Sequence, residues 1–205
     1  MKESTDRRVL RTRKALQDAL LALMAEKPFR KIHVSDITER AGLARPTFYL
    51  HFRSREDLLL SHMDMIFERY MVEIEPFLGL DDSGQLAAIL FEQLQSNSTL
   101  VRLISQSEDE ITHLVMERLQ EYIRAVFGAF PIDDTRREIP AHIGDFALAS
   151  LTGATYALVL QWVRADMPYA PQVMGKILMS LVRPGLVDVL LGGALDGVIE
   201  SGIQA

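Results

Sequence analysis

The sequence predicts an all-α protein of about nine or ten helices, and three observations carry that reading. Apolar residues recur at spacings of three and four in one segment after another. No useful length of chain alternates apolar with polar residues. Proline, glycine and capping-box patterns fall between the periodic segments. Hydrophobic residues make up 48% and charged residues 24%, an ordinary soluble composition.

The first helix is expected over 7–26, where Leu16, Ala19, Leu20, Leu23 and Met24 form one stripe and Pro28 stops it. "SDITERA" (35–41) predicts a short helix ended by Gly42, and 46–52 predicts a second. Ser54 with Asp57 is a capping-box pattern opening a long helix with the stripe Leu59, Met63, Ile66, Tyr70 and Ile74, closed by Pro76. After the loop "PFLGLDDSG", Leu86, Ile89, Leu90 and Leu94 mark the next helix. Ser107 with Glu110 repeats the capping pattern before Ile111, Leu114, Val115, Leu119, Tyr122 and Val126. "PIDDTRREIP" (131–140) is a polar break. Residues 146–163 carry no charge over eighteen positions. That is the short end of a membrane span, but Ser150, Thr152, Thr155 and Gln161 favour a helix buried on most sides, and no membrane partner is expected. A last helix begins near 171 and is expected to be interrupted at "RPG" (183–185).

Charge divides the chain. Residues 1–60 hold thirteen Lys and Arg against eight Asp and Glu, a net of +5. Residues 61–205 hold nine against twenty, a net of −11. The overall −6 therefore conceals a basic module that seeks anions and an acidic body that does not. No cysteine is present, which excludes disulfides and thiolate chemistry. With a polar N-terminus, this fits a reducing cytoplasm.

The segment "GLARPTFYLHFRS" (42–54) concentrates aromatic and polar groups in two turns. Phe48 and Phe52, four apart, fall on one inward face. Gly42 supplies the positive φ of a tight turn, Leu43 plugs the corner, and Pro46 suits the first helical turn. Arg45, Pro46, Thr47, Tyr49, Leu50 and His51 are then left largely outside. Such a face is a poor core and a good DNA surface. A helix fits the major groove, Arg45 can pair with guanine or phosphate, and Thr47, Tyr49 and His51 can donate to phosphates. Two short helices joined by a glycine turn are a helix-turn-helix. Arg53, Arg55, Arg30, Lys31, His33 and the early Arg7, Arg8, Arg11 and Arg13 lie around it.

The run 11–59, with its "T-F-Y-x-H-F" core, resembles the DNA-binding domain of TetR/AcrR-type transcriptional regulators. "TGATYALVLQWVRADMP" (152–168) resembles the C-terminal domains of one subgroup of them. The resemblance implies a head at 1–53 and an effector-binding and dimerisation body at 54–205, linked by helix 54–75. It implies base- or groove-facing Arg45, Pro46, Thr47 and Leu50. Thr47, Tyr49, His51 and Arg55 would face phosphate, with His33, Val34 and Ser35 near the DNA backbone. Ala44 and His33 stand where relatives often carry a capping Ser or Thr. The resemblance places Ser35 inside the first turn rather than at its cap.

It also implies a homodimer on a double-stranded operator, acting as a repressor that a small hydrophobic effector releases. Met63, Phe67, Phe91, His113, Met116, Tyr122, Phe146 and Trp162 are candidate pocket residues, though ordinary core packing explains methionines and aromatics equally well. Ala149, Gly153 and Ala157, with Leu160 nearby, form a small-residue stripe on which a second copy's helix could pack. A helix buried inside one subunit explains the same stripe. No catalytic motif, metal signature or cofactor site stands out. Glu110-x-x-His113, with Glu117, is half of a di-iron carboxylate pattern that has no second copy in the chain. An activator acting without a small-molecule ligand is a further alternative, and a helical protein-interaction adaptor is the other rival, which leaves the basic charge at 45–55 unexplained.

Overall fold

The computed structural model describes residues 2–78, 83–107, 109–129 and 141–191. Nine α-helices and two 3-10 turns lie among the described residues, with no strand. The chain divides into two compact units, Met1–Glu68 with Asn97–Val115, and Arg69–Ser96 with Met116–Ala205.

The first unit starts with α1 (Lys2–Glu26), which begins earlier than the apolar stripe required. Leu16, Ala19, Leu20 and Leu23 are buried as expected, and Met24 is half-buried. A 3-10 turn (Phe29–Lys31) leads to α2 (Val34–Arg40) and α3 (Arg45–Tyr49). Phe29, Ile32, Ile37, Phe48, Phe52, Leu58 and Leu59 complete the core between these elements and the start of α4 (Arg55–Ile74). Ser54 caps α4 as its spacing predicts. Its Oγ accepts the Asp57 N–H at 3.1 Å, and the Asp57 carboxylate accepts the Arg53 N–H at 2.8 Å. Gln17 and Ser61 are polar residues inside this core, joined by a 3.3 Å hydrogen bond from Gln17 Nε2. A separate helix, α6 (Ser98–Ser105), packs on α1 and was not resolved by periodicity, because the break at Asn97 is one residue long. Ser107 Oγ donates to the Leu103 carbonyl at 2.7 Å and so closes the end of α6; the Glu110 side chain of the expected capping box lies outside the described residues.

The second unit is built on α5 (Ser83–Ser96) lying along α9 (Pro171–Leu191), with α8 (Ala141–Arg164) against α9. α7 (Asp109–Ala129) and α4 each contribute residues to both units. Gly175 lets α9 approach α5 closely: a Cβ there would lie 2.5 Å from Ala88 N and 2.9 Å from Ala88 Cα. Ala87 and Ala88 keep the α5 side equally slim. Phe91 and Trp162 meet edge to face at 5.2 Å. Trp162 Nε1 donates to the Tyr169 carbonyl at 3.0 Å, pinning the turn between α8 and α9.

Two expectations are corrected here. α9 runs on through Pro184 instead of breaking at "RPG"; a proline removes one N–H from the ladder and kinks a helix more often than it abolishes it. α8 is not buried on most sides. Only 22% of its apolar window is covered, on the face carrying Thr152, Thr155, Trp162 and Val163. By length and composition Gly144–Arg164 is the one described helix able to cross a membrane. The polar break at 131–140 lies outside the described residues.

Candidate nucleic-acid interface

The interface begins at the turn between α2 and α3. Gly42 adopts φ +65°, in the left-handed region that favours glycine, and Leu43 N–H returns to the Thr38 carbonyl at 2.9 Å. α2 starts at His33, with Ser35 inside its first turn. The cap comes from Asp36, whose carboxylate accepts the His33 N–H at 3.0 Å and pairs with Lys27. α3 starts at Ala44 with no side-chain cap, so Pro46 and the buried phenylalanines hold it.

Those phenylalanines divide the helix as the four-residue spacing requires. Phe48 is 0% exposed and Phe52 3%, while Tyr49 is 49% and Leu50 80% exposed. Arg45 and Pro46 are exposed, and Thr47 and His51 are half-buried. Arg45 Nη2 donates to the Tyr49 hydroxyl at 3.3 Å and lies 5.7 Å over its ring, so the two side chains are partly ordered in advance of any partner. His33 and Ser35 are exposed at the start of α2, and Val34 is half-buried. The helix ends at Tyr49, two residues before His51.

Arg55 departs from the expected phosphate-facing role. Its Nη1 donates to the Phe29 and Ile32 carbonyls, each at 2.7 Å, its Nε binds Glu56, and its guanidinium lies 4.6 Å over the Phe29 ring. It clamps the 3-10 turn to α4. Arg13, expected only as one of the early basic residues around the motif, stacks 4.6 Å over the Phe52 ring. Nothing in the local sequence signals a contact across thirty-nine positions.

The Asp36 carboxyl is held below its ordinary 3.8 by the Lys27 ammonium and then by the His33 N–H. Glu26 is likewise lowered by its paired contact with Arg40. A carboxyl depressed by folding adds stability that is complete above its ordinary value and lost as pH falls through the lowered one. Asp36→Asn is therefore expected to lower the thermal midpoint at pH 7 and to flatten its decline below about pH 4. Unfolding curves at stepped pH test this, and an acid limb identical to wild type contradicts it.

The candidate effector residues are divided between the two units. Met63, Phe67 and His113 belong to the first unit. Phe91, Met116, Tyr122, Phe146 and Trp162 belong to the second, where Phe91 and Trp162 touch. Phe146 is 69% exposed and His113 is exposed. A cleft of about 260 Å³ lies in the first unit, between Met24, Lys27 and Phe29 on one side and Leu103, Gln106 and Ile111 on the other. Among the described residues no cluster of three or more His, Asp or Glu could hold a metal.

A glycine-turned pair of short helices, the second anchored by two phenylalanines and open on its other face, defines a helix-turn-helix DNA-binding protein. Comparison with known proteins narrows the class. Residues 16–61 match the model for bacterial regulatory proteins of the tetR family, and residues 81–184 match a transcriptional regulator C-terminal region. The chain is 34% identical over 116 residues to the uncharacterized HTH-type transcriptional regulator YxbF of Bacillus subtilis, covering 54% of this chain and 30% of YxbF. It is 26% identical to the fatty acid metabolism regulator protein of Bacillus subtilis, covering 82% and 92% of the two chains. The TetR transcriptional regulator of Streptococcus agalactiae shares the fold, with a TM-score of 0.60 at 21% identity over 89% of this chain and 99% of that one. The chain belongs to the TetR family of DNA-binding transcriptional regulators. That family is one of regulators and not an enzyme class.

Proposed function

We propose that the protein is a dimeric repressor that binds a two-fold operator and leaves it when a small hydrophobic molecule binds the body. Residues 1–53 are the reading head and 54–205 the body. Arg45, Pro46, Thr47 and Leu50 enter the major groove, Tyr49 and His51 hold the flanking phosphates, and His33, Val34 and Ser35 meet the backbone at the start of α2. The observation that carries this reading is the division of α3, with Phe48 and Phe52 inside and Arg45, Tyr49 and Leu50 outside. A cytoplasmic location fits binding to an operator. The match to a fatty acid metabolism regulator over most of the chain supports an apolar effector, and Phe91 and Trp162 supply an apolar centre in the second unit. The effector's leverage equals its differential affinity for the bound and released states.

Dimerisation uses the uncovered face of α8. Ala149 and Ala157 are exposed, Gly153 and Leu160 are half-exposed, and a Cβ on Gly153 would meet nothing within 4 Å. Small residues on an open apolar face admit a second helix at close range, so the length of apolar surface on this helix serves a second copy of the chain. Ala157→Glu is expected to shift the protein from dimer to monomer in sedimentation and to weaken operator binding. An unchanged dimer places the interface elsewhere.

The replacement of Arg45, Tyr49 and His51 together by alanine tests the head. Folding is expected to survive, because these side chains add little to the core. Operator affinity should fall at least about a hundredfold, since each good base contact alone is worth roughly 1–3 kcal/mol. Retained duplex binding by this variant favours an adaptor function instead.

A further inference from the structure

We propose that Tyr49 is a positioning residue for base recognition: its hydroxyl and ring hold the Arg45 guanidinium toward one guanine in each half of the operator, while its own O–H donates to the flanking phosphate.

Arg45 is the first residue of α3, a place where a cation is disfavoured. The N-terminus of a helix carries partial positive charge, and α3 has neither an acid in its first turn nor a side-chain cap to offset it. Arg45 is exposed, and among the described residues it forms no ion pair; its polar contact is with Tyr49. A charge so placed serves a partner outside the chain. The N-terminal residues of a recognition helix are the ones that meet base edges, and arginine on guanine O6 and N7 is the commonest specific contact.

Ordering a long arginine side chain costs rotamer entropy, which the contact has to recover. Tyr49 lowers that cost in advance. It lies four residues on, one turn along the same face. Arg45 Nη2 donates to its hydroxyl at 3.3 Å, and the guanidinium lies 5.7 Å from its ring centroid. The Tyr49 ring is supported in turn. It meets Phe48 edge to face, 5.4 Å between centroids with planes at 80°, and Phe48 is fully buried. A line of contacts therefore runs from the core of the head through Phe48 and Tyr49 to the residue that reads the base.

The donor count permits both tasks. A guanidinium has five N–H groups, and one given to Tyr49 leaves enough for a two-pronged contact with guanine. The tyrosine hydroxyl accepts from Arg45 and keeps its single proton to donate to a phosphate. Removing the hydroxyl has two separable effects. The lost phosphate contact weakens binding to every sequence, and the loosened arginine weakens the preference for one base.

This inference rests on the DNA-binding function, and its test separates the two. Full-length wild type, Arg45→Ala and Tyr49→Phe proteins each select duplexes from one random-sequence pool. Affinity for the wild-type site is then measured with each of the four bases at every position of a half-site. Wild type should prefer guanine at one position per half-site, and Arg45→Ala should lose that preference, roughly 5–150-fold. Tyr49→Phe keeps the ring and, because Tyr49 is 49% exposed, a thermal midpoint close to wild type. It should reduce the guanine preference about three- to tenfold at that position alone, beside a uniform loss of affinity for all sequences. If Tyr49→Phe weakens all duplexes equally and keeps the full guanine preference, the positioning role is overturned and the recognition helix stands. A wild-type site with no guanine preference that Arg45→Ala removes overturns it as well. If wild type enriches no duplex, this inference and the function beneath it both fall.

Discussion

Replacing Phe48 by alanine is expected to cost about 3–5 kcal/mol and to abolish DNA binding together with the fold of the head. Phe48 is fully buried, touches Phe52 at 5.9 Å and Tyr49 at 5.4 Å between ring centroids, and is the main anchor of a helix only five residues long. A helix that short has no independent stability, so its position comes from tertiary packing. Against a typical total of about 5–15 kcal/mol the loss is large, and the thermal midpoint should fall roughly 6–20 °C. Leu50→Ala is the matched control. Leu50 is two residues away and 80% exposed, so stability should change by less than about 0.5 kcal/mol while operator affinity changes. Equal effects of the two substitutions on stability contradict the division of inner and outer faces.

The second large effect lies in the body. An ordinary helical glycine gains up to about 1 kcal/mol on conversion to alanine. Gly128 shows that case, since a Cβ there meets nothing within 4 Å. Gly175 is the opposite case, because the added carbon would meet backbone atoms of Ala88 and Ala87 at 2.5–3.0 Å, and backbone cannot swing aside. α5 and α9 must separate to admit it, at a cost of roughly 1–3 kcal/mol beyond the propensity gain. Gly175→Ala should therefore lower the thermal midpoint and Gly175→Val lower it further, while Gly128→Ala raises it. A Gly175→Ala protein as stable as the Gly128→Ala protein shows that the two helices have room to spare.

Most helices were legible because their signals are local. The stripe at Leu16, Ala19, Leu20 and Leu23, the cap at Ser54 and the glycine turn at 42 each depend on residues within a few positions. Phe48 and Phe52 could be assigned inward from spacing alone. What escaped depends on partners far along the chain. Arg55 turns inward because a 3-10 turn more than twenty residues earlier offers it two carbonyls. Arg13 finds Phe52 by tertiary packing. α6 was missed because one residue, Asn97, breaks two helices of similar composition. The choice of pocket residues is left open by the sequence for a different reason. Methionine and aromatic residues at helical spacing serve core and cavity alike, and only packing separates Phe91 and Trp162, buried together, from Phe146, which stands open.

Selection of duplexes from a random-sequence pool by the full-length protein addresses the central claim most directly. The account expects one enriched sequence with two-fold symmetry, its half-sites one DNA turn (about 34 Å) apart or a multiple of that spacing. The same pool offered to the Arg45, Tyr49 and His51 triple-alanine protein should return no preferred sequence. A wild-type protein that enriches nothing, or a triple variant that enriches the same site, contradicts the assignment of α3 as the element that reads DNA.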